Sequence, residues 1–187
     1  MRFNAPEYLE DWKNGKYPSI HKIMFNAVKL YGQGTKVLDL CCSTGLLGTQ
    51  VKEKLDKTVI GIESSPASID LAAQYGIPIP IKQMKLTRET LEPFVTFCNL
   101  YNIETIIARR CIPELFGEDY HFGLEFVAAL RAMGVKEIFL EGRVKTANAT
   151  NIFNSIDHEI DLFTTYDMYK VTKRLGNIGY LTISEAK

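Results

Sequence analysis

The chain carries no net charge: its 22 basic and 22 acidic side chains cancel over 187 residues. Bulk charge therefore supports no broad attraction to a nucleic-acid backbone or an anionic membrane, although a local patch can still form. No run approaches the roughly 18 apolar residues that a membrane span requires. The start, Met1-Arg2-Phe3-Asn4, lacks the apolar segment of a secretion signal. These absences lead us to expect a cytoplasmic protein with no membrane partner. Cysteine is scarce too, with only Cys41, Cys42, Cys98 and Cys111. None forms a C-x-x-C pair and no histidine stands at ligand spacing, so we expect no metal site and free thiols in a reducing compartment. Internal repeats, low-complexity tracts and linkers are also missing. With 46% hydrophobic residues the chain can bury a full core, and residues 1–187 read as a single domain.

What the chain does have is an organising stretch, Val37-Leu38-Asp39-Leu40-Cys41-Cys42-Ser43-Thr44-Gly45-Leu46-Leu47-Gly48. An apolar run around one acid predicts a buried strand. Small residues then predict a turn, and Leu47, Val51 and Leu55 recur at helical spacing. A strand, a small-residue turn and a helix N-terminus bring backbone and free N–H groups close to a ligand. The next strand, Thr58-Val59-Ile60-Gly61-Ile62, ends in Glu63, 24 positions after Asp39. That offset is near the one of about 20 at which an acid meets ribose hydroxyls in nucleotide-binding βαβ units.

The hydride-cofactor fingerprint G-x-G-x-x-G would need glycine where Cys41, Ser43 and Leu46 stand. The pattern acid-x-small-x-small-x-Gly instead fits Asp39, Cys41, Ser43 and Gly45. In these residues the sequence resembles the class I S-adenosylmethionine-dependent methyltransferases. The resemblance implies that Asp39 lies near the methionine moiety, that the Cys41–Gly45 turn passes beneath it, and that Glu63 binds the ribose. Cys41 and Ser43 depart from the glycines usual in that family, and each adds a Cβ that restricts φ > 0. The implied cofactor is S-adenosylmethionine, held by Asp39, Cys41, Ser43, Gly45, Glu63, Ser64, Gln83 and Ala108. Gln83 stands near the place of the acid that meets the adenine amino group in the family.

The remaining chain agrees in element order. Residues 1–31 form a helical N-terminal extension, with Pro18-Ser19 opening a helix that carries Ile20, Ile23, Met24, Ala27, Val28 and Tyr31 on one face. Tyr8, Trp12, Tyr17 and His21 are candidates for a lid over the cofactor. In the core, residues 32–187, Ser64-Ser65-Pro66 caps a helix and Ile77–Ile81 is expected to form a short strand. Thr87 is expected to cap a helix through Leu100. Strands follow at Glu104–Ala108 and Glu137–Glu141, and Asp119 or Tyr120 opens the helix between them. A helix from Asn154 to about Phe163 and a hairpin of Met168–Lys173 with Ile178–Ile183 complete the chain. The resemblance and this order together imply an α/β fold: a Rossmann-like, doubly wound, mostly parallel seven-stranded sheet with a C-terminal antiparallel hairpin.

Methyl transfer from a sulfonium is an in-line displacement in which positioning contributes roughly 7–11 kcal/mol, so no protein nucleophile is demanded. Lys82, Lys85, Arg109, Arg110, Arg143 and Lys145 follow strand ends and would share one rim of a parallel sheet. A cationic rim suggests a small anionic acceptor or an accessible part of a nucleic acid. Arg109 and Arg110 are the foremost catalytic candidates, because adjacent residues leaving a strand point to opposite faces and one should face the reacting centre. Glu114, His121 and Glu141 are possible general bases. Glu141, ending a central strand, is expected to pair with Arg109 or Arg143. Cys111 could act as a nucleophile if the neighbouring arginines stabilised its thiolate. The Asn/Asp-Pro-Pro-aromatic signature of base N-methylating enzymes is absent. Two alternatives stand: a non-catalytic nucleotide-binding module, and an RNA-modifying methyltransferase.

Overall fold

A computed structural model describes residues 6–142 and 152–184. Val37, Leu38 and Leu40 make β1 (Lys36–Leu40) a buried interior strand of a seven-stranded sheet. The other strands are β2 (Thr58–Glu63), β3 (Ile81–Gln83), β4 (Thr105–Arg109), β5 (Glu137–Glu141), β6 (Tyr169–Leu175) and β7 (Ile178–Ile183). Their order across the sheet is β3-β2-β1-β4-β5-β7-β6. The first five are mutually parallel, while β7 pairs antiparallel with both β5 and β6. The turn between β6 and β7 contains Gly176 at φ 59 and Asn177.

Helices cover both faces because strand side chains alternate. Leu38, Leu40, Ile106, Ala108, Ile138 and Leu140 join a core with Phe94 of α5 (Leu91–Leu100), Phe126 of α7 (Tyr120–Ala132) and Phe163 of α8 (Ile156–Thr164). Val37, Val59, Ile107 and Phe139 face the opposite core. There they meet Val28 of α2 (Lys22–Tyr31) and Val51 of α3 (Leu46–Leu55). The remaining helices are α1 (Pro6–Lys13), α4 (Pro66–Tyr75) and α6 (Ile112–Phe116). Among the described residues no helix is long and apolar enough to cross a membrane.

Three local expectations shift. The third strand starts at Ile81, after Pro78 and Pro80 rather than through them, because proline cannot donate to a ladder. The helix at Ser19 opens as a 3₁₀ turn, Ser19–His21, before α2 begins at Lys22. Thr90, not Thr87, precedes α5, and its hydroxyl accepts from the Thr87 N–H at 2.8 Å. Asp119 caps α7 as expected, accepting from the Phe122 N–H at 2.9 Å.

At the amino ends of the strands, buried Glu137 accepts from the Gln33 and Gly34 N–H groups and the Thr105 and Tyr180 hydroxyls, all within 3.1 Å. This cluster fixes the loop that leads into β1, at the end of the sheet remote from the cavity described next.

Candidate active site

The carboxyl end of β1 turns through three left-handed residues, Cys41 (φ 54), Ser43 (φ 55) and Gly45 (φ 77), before α3 begins. The cradle therefore takes the backbone course that glycines would make easy, with two side chains carried on it. A left-handed non-glycine residue costs roughly 1–2 kcal/mol. Ser43→Gly is accordingly expected to stabilise the protein by up to about 1 kcal/mol, read as a higher urea midpoint. Because the backbone N–H at position 43 survives the change, S-adenosylhomocysteine affinity should be kept or improved; a marked loss would mean that the Ser43 hydroxyl makes a specific contact.

Two acids frame this turn. Asp39 is 2% exposed, and its Oδ2 accepts from the Gly48 N–H at 2.9 Å. A Cβ on Gly48 would lie 3.0 Å from that oxygen and 2.8 Å from Ile79 Cδ1, so glycine lets α3 approach the strand. Burial pushes the Asp39 carboxyl up to about 7, against the downward pull of the Gly48 N–H and the Arg109 charge. Glu63 accepts three backbone N–H groups, those of Ser43, Ser64 and Ser65, each at 2.8 Å. Its carboxylate thus ties the first turn to the second and retains acceptor capacity for hydroxyl donors.

These groups open onto a cavity of about 730 Å³. Asp39, Cys41, Ser43, Glu63 and Ser64 line it together with Arg109 and Arg110. A Cβ on Gly45 would stand 3.0 Å from Ile79 Cδ1 and 3.1 Å from Ile81 Cδ1. Three of the expected cofactor contacts, Gly45, Gln83 and Ala108, are not brought to the wall. Gln83 is exposed at the end of β3, and Met84 to Glu89 run along the cavity instead. Ala108 is 1% exposed and belongs to the core beneath the site.

The N-terminal extension supplies Tyr8 and His21 to the wall. Of the other lid candidates, Tyr17 bonds through its hydroxyl to Glu53 on α3, holding the extension down. Neither it nor Trp12 lines the cavity. His21 Nδ1 is buried without a hydrogen-bond partner. Burial, helped by the nearby Arg109 charge, pushes this imidazole down to about 3, so it is neutral at physiological pH.

Arg109 and Arg110 do not point to opposite faces as expected. Arg110 adopts φ 56, which swings its side chain onto the carboxylate that Arg109 also uses. Arg109 Nε donates to Glu141 Oε2 at 3.0 Å and Arg110 Nε to Oε1 at 2.7 Å. Arg109 Nη2 also donates to the Ile20 carbonyl at 3.2 Å, tying β4 to the N-terminal extension. Glu141, 3% exposed in its side chain, lies behind the arginines and off the cavity wall. There both oxygens of its carboxylate are occupied in holding the two guanidinium groups.

The basic rim is thinner than the sequence suggests. Lys82 is exposed away from the wall, and Arg143 and Lys145 lie outside the described residues. Lys85, Arg109 and Arg110 remain, beside Arg88, which is engaged by Asp119 and Glu125 at 2.9 Å each. Glu89, Glu114 and Glu118 share the same wall. His121 sits on the surface, 79% exposed and paired with Glu125. The Cys111 thiol is pushed well above its ordinary range by a hydrogen bond with Cys41 and by burial, so the neighbouring arginines do not stabilise its thiolate. Among the described residues no group of three or more His, Cys, Asp or Glu side chains could hold a metal ion.

No protein-family model and no curated protein matches the chain. Solved structures do. A TehB-like SAM-dependent methyltransferase from Corynebacterium glutamicum superimposes with a TM-score of 0.58 at 12% identity, covering 96% of this chain and 97% of that one. The 16S rRNA methylase ArmA gives a TM-score of 0.60 at 14% identity over 96% and 97% of the two chains. The bifunctional kinase-methyltransferase WbdD gives 0.63 at 14% identity, with 98% of this chain covering 43% of WbdD. The chain has the class I methyltransferase fold. In that fold, the strand order and the cradle after β1 put the cavity at the carboxyl ends of the parallel strands, where open α/β sheets bind ligands.

Proposed function

We propose that this protein binds S-adenosylmethionine in the cavity and transfers its methyl group to a small acceptor. The observation that carries this is Glu63: an acid at the end of β2, oriented by three N–H groups, beside a left-handed turn that leaves room for a ligand. The cavity of about 730 Å³ falls within the usual span for cofactor sites, roughly 300–1,000 Å³. Ribose hydroxyls donate to Glu63, the methionine portion lies along Cys41–Gly45 towards Asp39, and Ser64 borders the ribose. The transfer needs the acceptor lone pair, the methyl carbon and the sulfonium sulfur in line, and the protein contributes alignment and exclusion of water.

Arg110 is the side chain with room to meet an anionic group on the acceptor, since it is 34% exposed against 12% for Arg109. Lys85 is a second cation on the same wall. The test is transfer of label from methyl-labelled S-adenosylmethionine to separated small-molecule, RNA and protein fractions. Label in the small-molecule fraction that weakens in Arg110→Ala through KM supports the reading. Transfer to RNA alone would replace the small acceptor, and no transfer together with intact cofactor binding would favour a non-catalytic module.

Asp39 makes the account pH-dependent. Its folded value of about 7 lies above the unperturbed value near 3.9, so the folded protein holds a proton that the unfolded chain releases. That contribution is fully present below about pH 4 and is lost as pH rises through about 7. The cationic donor favours the ionised carboxylate, so its binding should tighten between about pH 6 and pH 8 and release a proton. Calorimetry in two buffers of different ionisation enthalpy reads that proton, and Asp39→Asn should abolish both the release and the slope.

A further inference from the structure

Cys41, Cys42 and Cys111 all border the cavity, yet methyl transfer uses none of their sulfurs. The adjacent pair diverges. Cys42 turns towards β2, where a Cβ on Gly61 would stand 2.5 Å from its sulfur. Cys41 turns towards β4 and packs against the core cluster that contains Ala108 and Cys111. The backbone explains the meeting. Leu40 is the partner of Ala108 across the two strands, and the left-handed turn at Arg110 folds the chain back over the strand end. Cys111 Sγ therefore lies 3.7 Å from the Leu40 carbonyl, beside the residue that begins the cradle. Cys41 is partly exposed and Cys111 is buried.

We propose that Cys41 and Cys111 form an oxidisable dithiol, a modification site whose disulfide distorts the floor of the cavity and weakens cofactor binding. The oxidant is a peroxide. Its terminal oxygen is transferred to the partly exposed Cys41 sulfur, giving a sulfenic acid and, from hydrogen peroxide, one water. The Cys111 sulfur then displaces the sulfenic hydroxyl, which leaves with the Cys111 proton as a second water while the S–S bond forms. Cys111 keeps its proton until that step, and its place beside the Leu40–Cys41 peptide compensates for its weak acidity by proximity. Joining the sulfurs at about 2.05 Å draws the left-handed Cys41 towards β4 and so displaces the Ser43 N–H that Glu63 accepts. The crosslink stands independently of the methyl-transfer reading; its effect on binding rests on it.

The full chain, reduced and then treated with hydrogen peroxide, is alkylated and mapped without reduction while S-adenosylhomocysteine is titrated in parallel. The expected result is a Cys41–Cys111 crosslink with Cys98 still alkylated, and a dissociation constant raised at least about tenfold and restored by reductant. Cys111→Ser, or Cys111→Ala should the serine unfold the protein, should stop at a Cys41 sulfenic acid trapped by dimedone. Over-oxidation of Cys41 with Cys111 left free, a Cys41–Cys42 bond or a bond between two copies would overturn the dithiol. A crosslink that leaves affinity unchanged would overturn the gating. A crosslink in a protein that binds no S-adenosylhomocysteine even when reduced keeps the dithiol, overturns the gating and removes the cofactor reading.

Discussion

Alanine at position 63 is expected to raise the dissociation constant for S-adenosylhomocysteine by about 100-fold or more. A hydrogen bond to a charged group contributes about 1.5–3 kcal/mol, and the Glu63 carboxylate would receive one from each ribose hydroxyl. The same carboxylate holds the N–H groups of Ser43, Ser64 and Ser65, so its loss also relaxes the turn beneath the ligand. Glu63→Gln keeps an acceptor oxygen without the charge and should fall between wild type and alanine. Calorimetric titration measures all three proteins. If Glu63→Ala changes affinity less than about threefold, the ribose assignment is wrong.

Glu141→Ala should be the most destabilising substitution near the site, by about 3–5 kcal/mol in urea unfolding. It removes the carboxylate that two guanidinium groups share, one of them only 12% exposed, at a position 3% exposed. The double variant Glu141→Ala/Arg109→Met should recover part of the loss, because it removes the buried charge along with its partner. Arg109 also bonds to the Ile20 carbonyl, so the single variant should loosen the N-terminal extension and weaken ligand binding through it. Should Glu141→Gln instead keep its stability and ligand affinity while losing methyl transfer, Glu141 would be a catalytic residue after all.

The parts of the site that could be seen in the sequence were those whose signal is local. Asp39 and Glu63 stand out because each interrupts or ends an apolar run, and the small residues from Cys41 to Gly45 announce a turn. The arginine pair shows the limit. Strand alternation predicts divergence of Arg109 and Arg110, and only a left-handed backbone at Arg110 brings both to Glu141. A non-glycine residue at positive φ leaves no mark in sequence. His21 was legible as a lid candidate, but not as a buried neutral imidazole, since its state depends first on burial in the folded chain and then on Arg109 arriving from β4. Helix α6 has five residues, too few to show a helical period. The shift of β3 had a signal that was there to use, the two prolines of Ile77-Pro78-Ile79-Pro80. Glu137 had none, because its four donor residues come from three separate segments.

The most direct test of the central claim is a crystal structure of the reduced protein grown with saturating S-adenosylhomocysteine. The account expects both ribose hydroxyls within hydrogen-bond reach of Glu63 and the thioether sulfur over the Cys41–Gly45 turn. A ligand bound elsewhere, or a cavity that stays empty at saturation, would contradict it.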